Sequence, residues 1–280
     1  MGGLRSETRT ETMVTDTSSE EFYNKNTILP AKQQDVSMGS MPYHEWREGD
    51  KANGSFGFCQ LGGNAFKVRG KNYLKDKKKQ PAGEPALRLL TMDWFKTEQR
   101  CSHVAGRKQG VCAQLLQRPD VAFVLAVAIQ FPSHSHYTMV SYYGASAPID
   151  KESLIGRFIY GDDKFRNERL KLIPRVMEGA WVVQRAVGTV PVLLGKAVKV
   201  EYHSGANYME MDVNIGSSAT AHTALKCVFG YAANLVIDFG WVVEGRAEAE
   251  LPEVLLGTMR IAYLDETQAV EPPPEEYDDA

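Results

Sequence analysis

Residues 198–215 read VKVEYHSGANYMEMDVNI. Val198, Val200 and Tyr202 alternate with Lys199, Glu201 and His203. Met209, Met211, Val213 and Ile215 then alternate with Tyr208, Glu210, Asp212 and Asn214. A period of two marks a strand, because successive side chains leave the pleat on opposite faces. Ser204-Gly205-Ala206-Asn207 are turn formers, so the stretch is a β-hairpin with one apolar and one polar face. Downstream, Ser217 or Ser218 can cap a helix. Its Ala221, Leu225, Val228, Phe229 and Ala232 form a one-sided stripe that ends near Asn234. Strands follow, one with Ile237, Phe239, Trp241 and Val243 on a face, the other over 258–264. This order predicts an α+β fold: a mostly antiparallel β-sheet packed against two main helices and curled around helix 217–234, with room for an apolar cavity.

Working upstream, 66–69, 87–95, 121–131 and 136–143 read as strands, with 121–131 buried on both faces, and 110–117 as a short helix. A longer helix is expected over 162–177, capped by Asp162 or Asp163. Phe165, Arg169, Leu172, Ile173 and Val176 share one side of it, and Pro174 kinks or shortens it. A strand containing Trp181 is expected over 180–187. Residues 1–42 lack the apolar content to order themselves and read as a flexible tail. The single domain covers 43–269. Residues 270–280 read as a disordered, acidic, Pro-rich tail.

The formal net charge of -3 over 280 residues argues against a nucleic-acid partner. Cys59, Cys101, Cys112 and Cys227 form no CxxC pair and fit a reduced, cytoplasmic chain. Cys101 with His103, and His134 with His136, fall short of a metal signature, so no metal and no cofactor is expected. There is no GxxxxGK phosphate loop, GxGxxG, GxSxG or HExxH. No apolar run reaches the roughly 18 residues of a membrane span. Met1-Gly2-Gly3-Leu4-Arg5-Ser6 matches the N-myristoylation pattern, which makes Gly2 a candidate lipidation site; a chance glycine after Met is the competing reading.

Two sets of charges invite a function. Glu210 and Asp212 share one strand face, and Asp238 interrupts the apolar run 235–243. They could serve as an acid/base pair or a polar lining. The plainer reading is a solvated face plus structural ion pairs, with Arg246 or Arg260 as the partner that a buried Asp238 requires. The second set is the basic run: Lys67, Arg69, Lys71, Lys75, Lys77, Lys78 and Lys79, opposed only by Asp76, with Tyr73 and Leu74 inside it. Lysines beside an aromatic ring suit an anionic membrane, each charge being worth roughly 1 kcal/mol there. A solvated loop is the equal alternative.

Several pieces in order resemble the C-terminal domain family of the plant protein Enhanced Disease Resistance 2. They are Trp46, the stretch 66–79, Ile129-Gln130-Phe131-Pro132, Glu178-Gly179-Ala180-Trp181, Asn207-Tyr208-Met209-Glu210-Met211-Asp212 and Glu250-Leu251-Pro252-Glu253 with Arg260. In the plant proteins this domain follows a pleckstrin-homology domain and a lipid-transfer START domain. The whole proteins look like membrane-associated, lipid-binding negative regulators of defence and cell death. The family carries no catalytic residue over to this chain, and 280 residues leave no room for either partner domain beside this one.

The resemblance and the basic run together point to a non-catalytic lipid-binding or membrane-docking module with a regulatory role. The partner would be an anionic lipid or membrane surface, touched by Arg69, Lys71, Tyr73, Lys75, Lys77, Lys78 and Lys79. The protein would be cytoplasmic and peripheral to the membrane. The alternative is a protein-interaction scaffold that works through its tails. An enzyme using Glu210, Asp212 or Asp238 ranks last, since no motif supports it.

Overall fold

The computed structural model of the chain describes residues 38–47, 49–132 and 136–277. Its elements begin with β1 (Gly57–Cys59), β2 (Lys67–Arg69), α1 (Tyr73–Asp76), β3 (Lys79–Pro81), β4 (Arg88–Thr97) and α2 (Val111–Leu116). They continue with β5 (Phe123–Phe131), β6 (His136–Ala145), α3 (Leu154–Tyr160), α4 (Asp163–Arg169), β7 (Leu170–Glu178), α5 (Trp181–Val187), β8 (Val192–Leu193) and α6 (Leu194–Ala197). Last come β9 (Lys199–Ser204), β10 (Tyr208–Asn214), α7 (Ala219–Phe229), β11 (Val236–Val243) and β12 (Leu255–Ala262). Gly2, His134 and most of the expected N-terminal tail lie outside the described residues.

The hairpin forms as its alternation predicts, β9 against β10. The architecture around it is two five-stranded sheets, β1-β12-β11-β7-β8 and β4-β6-β5-β10-β9, plus the small pair β2-β3. All pairings are antiparallel except β5 with β10, which is parallel. The two sheets meet face to face. Met209, Met211 and Val213 from one share a core with Trp241, Met259 and Ile261 from the other, and Trp241 Nε1 donates to Tyr143 Oη across the interface at 3.0 Å. Burying side chains of this size is worth roughly 1.5–3 kcal/mol each and drives the assembly.

Three expectations change. The sheet does not curl around helix 217–234: α7 ends at Phe229 with none of its residues fully buried, and it leans on the core through Ala221, Leu225, Val228 and Phe229. The middle of the fold is filled by the facing sheets instead. The helix expected over 162–177 stops at Arg169, although Asp162 does cap it, accepting from Phe165 N at 2.8 Å. Beyond it the chain is β7, with Pro174 inside. Strand β8 pairs only with Lys171 and Leu172, so β7 is an edge from Ile173 onward, where a strand tolerates proline. Residues 180–187, expected as a strand, form α5. Gly188 ends that helix at a φ of +70°, a left-handed value that glycine adopts at little penalty.

Candidate functional site

The basic run folds into β2, α1 and β3. Strand register pairs Lys67 with Pro81, Val68 with Gln80 and Arg69 with Lys79. Between the strands α1 makes one turn, and Lys77 closes it in the left-handed region at a φ of 58°. Asp76 Oδ1 accepts from Lys78 N at 2.8 Å, so the run's one acid is spent on its own loop.

Glu253 anchors this hairpin to the body. It is 3% exposed, and Oε2 accepts from Arg69 N at 2.9 Å. Oε1 accepts from Lys171 Nζ at 2.5 Å and from Gly245 N at 3.2 Å. Arg69 also reaches Glu244 at 2.9 Å and the Gly245 carbonyl at 2.9 Å. Arg69 is therefore engaged inward, and its guanidinium lies 4.9 Å from the centre of the Tyr73 ring. Lys75 pairs with Glu248 at 3.0 Å on the surface. Lys67, Lys77, Lys78 and Lys79 are exposed and meet no carboxylate among the described residues; Leu74 is exposed beside them. Lys71 is exposed on the same connection. Arg69 is the only arginine in the run. A planar guanidinium favours bidentate pairing, and that is the sequence signal for its separate role.

The acidic candidates lie elsewhere, and all are buried. Glu210 and Asp212 are 0% exposed, not on a solvated face. In register beside them on β5 stand Ala126 and Ala128, whose small side chains leave room for the 101–107 loop to cover that face. His103 is left-handed at a φ of 49°, and three successive amides then face the carboxylates. His103 N donates to Asp212 at 3.2 Å, and Val104 N and Ala105 N donate to the two Glu210 oxygens at 3.0 and 2.6 Å. Ser102 Oγ and His203 Nε2 also bond Asp212 Oδ2. Burial, then the adjacent Asp212 charge, push the Glu210 pKa well above the carboxylate range. Burial also pushes Asp212 upward, but hydrogen bonds from His203, Glu210, Ser102 and the His103 amide outweigh it and hold Asp212 ionised. Asp212 Oδ1 is buried and has no hydrogen-bond partner among the described residues.

Asp238 is 0% exposed and receives both Arg260 Nε at 2.7 Å and Nη2 at 3.1 Å. The same guanidinium donates to the Arg47 and Asp50 carbonyls. Arg246 instead pairs with Glu168 and Glu244. No group of three or more metal-ligating side chains occurs among the described residues.

Residues 270–277, expected as a loose tail, are docked. Val270 N donates to Trp94 O at 3.0 Å and Lys96 N to Val270 O at 2.9 Å. Farther on, Arg107 Nη2 pairs with Glu275 at 2.9 Å and Tyr277 stacks on His103 at 5.1 Å. Sequence patterning missed one more feature. Of the ten large apolar residues exposed among the described residues, five lie in 177–192: Met177, Trp181, Val182, Val190 and Val192, with Trp181 at 69%. Reading α5 as a strand hid this edge.

An α+β domain of two antiparallel-rich sheets, with the candidate acids Glu210, Asp212 and Asp238 turned inward and a lysine hairpin turned outward, is the class of protein these features define. Residues 58–265 match the family model described as Protein ENHANCED DISEASE RESISTANCE 2, C-terminal, and the chain belongs to that family. It is similar to Protein ENHANCED DISEASE RESISTANCE 2-like of Arabidopsis thaliana, 41% identical over 248 residues that cover 89% of this chain. The match spans only 34% of that relative's length. No solved structure matches the chain. No helix among the described residues is long and apolar enough to cross a membrane.

Proposed function

We propose that this domain is a non-catalytic module that docks on an anionic membrane surface through the tip of the β2–α1–β3 hairpin, in a regulatory role. The observation that carries the reading is the set Lys67, Lys77, Lys78 and Lys79, exposed without carboxylate partners among the described residues, with Leu74 and Tyr73 between them. At roughly 1 kcal/mol each, four such charges supply roughly 4 kcal/mol. That corresponds to a Kd of about 1 mM, a weak and reversible contact. One myristoyl chain on Gly2 would be similarly marginal alone, and the two together would hold the protein on a bilayer. The non-catalytic part of the reading is supported by Glu210, Asp212 and Asp238, whose carboxyl groups are buried and each bonded to another part of the chain.

Vesicle flotation tests it, with phosphatidylserine-containing against pure phosphatidylcholine vesicles. The triple variant Lys77→Gln, Lys78→Gln, Lys79→Gln should lose roughly 3 kcal/mol, about 150-fold in partitioning. Partitioning within twofold of the parent would sink the proposal.

A second reading, a protein-interaction domain, is favoured by the exposed apolar edge at Trp181, Val182 and Val190. A photo-crosslinker at position 182 separates the two. Protein adducts in cells would favour this reading, and lipid adducts alone would remove it.

A further inference from the structure

The outer face of α5 is apolar and stands in water. Ala180, Val183 and Val187 turn toward the core, which at helical spacing leaves Trp181, Val182 and Arg185 outside. Trp181 is 69% exposed, Val182 40% and, past Gly188, Val190 73%. α5 packs on α7. The chain beyond α7 closes against the approach to α5: a Cβ on Gly179 would stand 2.8 Å from Leu235 Cδ1, and the exposed Tyr231 lies between α7 and Leu235 in the chain. Side chains this exposed stand proud of the surface, so whatever covers Trp181 and Val190 must supply most of their contacts.

An apolar patch alone leaves its partner open. Charge narrows it. Residues 179–200 and 213–237, which carry α5 and α7, contain Arg185, Lys196, Lys199 and Lys226 and no Asp or Glu, in a chain whose net charge is -3. Arg185 and Lys226 are exposed and pair with no carboxylate among the described residues. The Arg185 guanidinium lies 5.5 Å from the centre of the Trp181 ring, which sets a cation beside the exposed aromatic. Acids that border the two helices are engaged: Glu178 accepts from Tyr263 Oη at 2.7 Å, and Glu266 from Tyr137 Oη at 2.9 Å. A second copy docked by two-fold symmetry would set these cations against their own images, which is unfavourable. A folded partner would need a pocket matched to each protruding side chain. An anionic bilayer needs neither. Trp settles at its interface, with an apolar ring and a wet N–H, and its phosphates attract Arg and Lys.

We infer that the outer face of α5 and the 188–190 turn form a membrane-insertion edge: Trp181, Val182 and Val190 enter the headgroup layer of an anionic bilayer, and Arg185 and Lys226 meet its phosphates. The inference rests on the reading that the domain docks on a bilayer, but not on the lysine hairpin as the means. The hairpin brings mainly charge, which salt screens; this edge adds apolar area, whose contribution salt does not screen.

Trp181 can report on its own insertion. Trp94 and Trp241 are fully buried and Trp46 is half-buried, so Trp181 is the exposed tryptophan. The full chain is mixed with phosphatidylserine–phosphatidylcholine vesicles whose phosphatidylcholine chains are brominated near the ester end, a short-range quencher. Fluorescence should fall on binding, and Trp181→Phe should lose that response while still floating with the vesicles. Val190→Ser should weaken flotation about tenfold and Arg185→Gln about fivefold, with the far-UV circular dichroism of the parent because both sites are on the surface. Quenching that persists when the triple variant Lys77→Gln, Lys78→Gln, Lys79→Gln is driven onto vesicles by excess lipid supports the edge. If that variant floats like the parent and is still quenched, the hairpin reading fails and the edge stands. Vesicle-bound parent quenched no more than Trp181→Phe overturns the inference and leaves the hairpin reading intact. Flotation of Val190→Ser within twofold of the parent overturns it too, as does a dimer that Val190→Ser dissolves, or a photo-crosslinker at position 182 that captures protein and no lipid. No flotation at all sinks both readings.

Discussion

Replacing Glu253 by Gln keeps the shape of the side chain and removes its charge. Glu253 is 3% exposed and sits opposite Lys171, 6% exposed, at 2.5 Å. The Lys171 pKa is already lowered, first by burial, with Glu253 as the main opposing influence. Removing the anion leaves a buried ammonium facing a neutral amide, and breaking a buried pair from one side costs about 3–5 kcal/mol. Arg69 lies 3.6 Å from the same oxygen, so the loss should fall in that range despite the 4.0 Å contact between Lys171 and Glu244. Lys171→Met should cost less, because Glu253 keeps Arg69 and the amides of Arg69 and Gly245. The double variant should regain at least 1 kcal/mol over the sum of the singles, since the ammonium is gone. Urea unfolding followed by far-UV circular dichroism measures all four species. A loss below about 1 kcal/mol for Glu253→Gln, or strict additivity in the double variant, refutes the claim that this pair is what fixes the hairpin.

Three further outcomes follow from the same kind of accounting. Burial raises the Asp93 pKa from 3.8 to about 6, against the pull of bonds from Ser40 and Tyr142. A carboxyl with a raised folded pKa favours the fold below its ordinary value and loses that favour as pH rises through about 6. The gap corresponds to about 3 kcal/mol, so Asp93→Asn should gain about that much on the parent between pH 3.5 and 7.5 in urea unfolding; a constant difference refutes it. Arg260→Met strands Asp238 without its guanidinium and should cost about 3–5 kcal/mol, partly restored by adding Asp238→Asn; a melting temperature within 2 °C of the parent, roughly 0.5–1 kcal/mol, would contradict it. Ending the chain at Ala269 removes the acceptors of the Lys96 and Lys108 amides, Val270 O and Glu276 O. Both amides should exchange with deuterium at least tenfold faster, and unchanged protection would show that 270–277 adds nothing to order.

Local pattern made half of this fold legible. The period-two stretches became β9 and β10, the apolar stretch 121–131, interrupted only by Gln130, became the fully buried β5, and Asp162 and Ser218 cap the helices they precede. Pairing was not legible. Nothing local says that β10 lies parallel to β5 across some eighty intervening residues, roughly the separation at which only tertiary contacts decide. That pairing is what buries Glu210 and Asp212, so their solvated reading failed with it. The errors at 170–178 and 180–187 share a cause: short apolar runs fit both periods, and the arbiters were Pro174 with β-branched Ile173 and Val176 in one case, Gly188 in the other.

Buried acids in this domain hold down segments far away in sequence: Asp93 holds Ser40, Glu210 and Asp212 hold 102–105, Asp238 through Arg260 holds Arg47 and Asp50, and Glu253 holds the hairpin. The last staple makes the docking proposal separable from mere charge. Glu253→Gln adds one positive charge to the hairpin region. If the lysines act only as charge, the variant should bind phosphatidylserine vesicles more tightly, by up to about 1 kcal/mol or fivefold. If instead the rigid hairpin presents them together, loosening it adds an ordering penalty at each docking event, about 0.5–1.5 kcal/mol per long side chain that must be fixed. With three lysines at the tip that penalty outweighs the added charge, and binding should fall severalfold although the net charge has become more favourable. Flotation at a temperature where both proteins remain folded gives the sign. Tighter binding by Glu253→Gln would leave the lysines as a diffuse charge and strip the anchor of any part in docking.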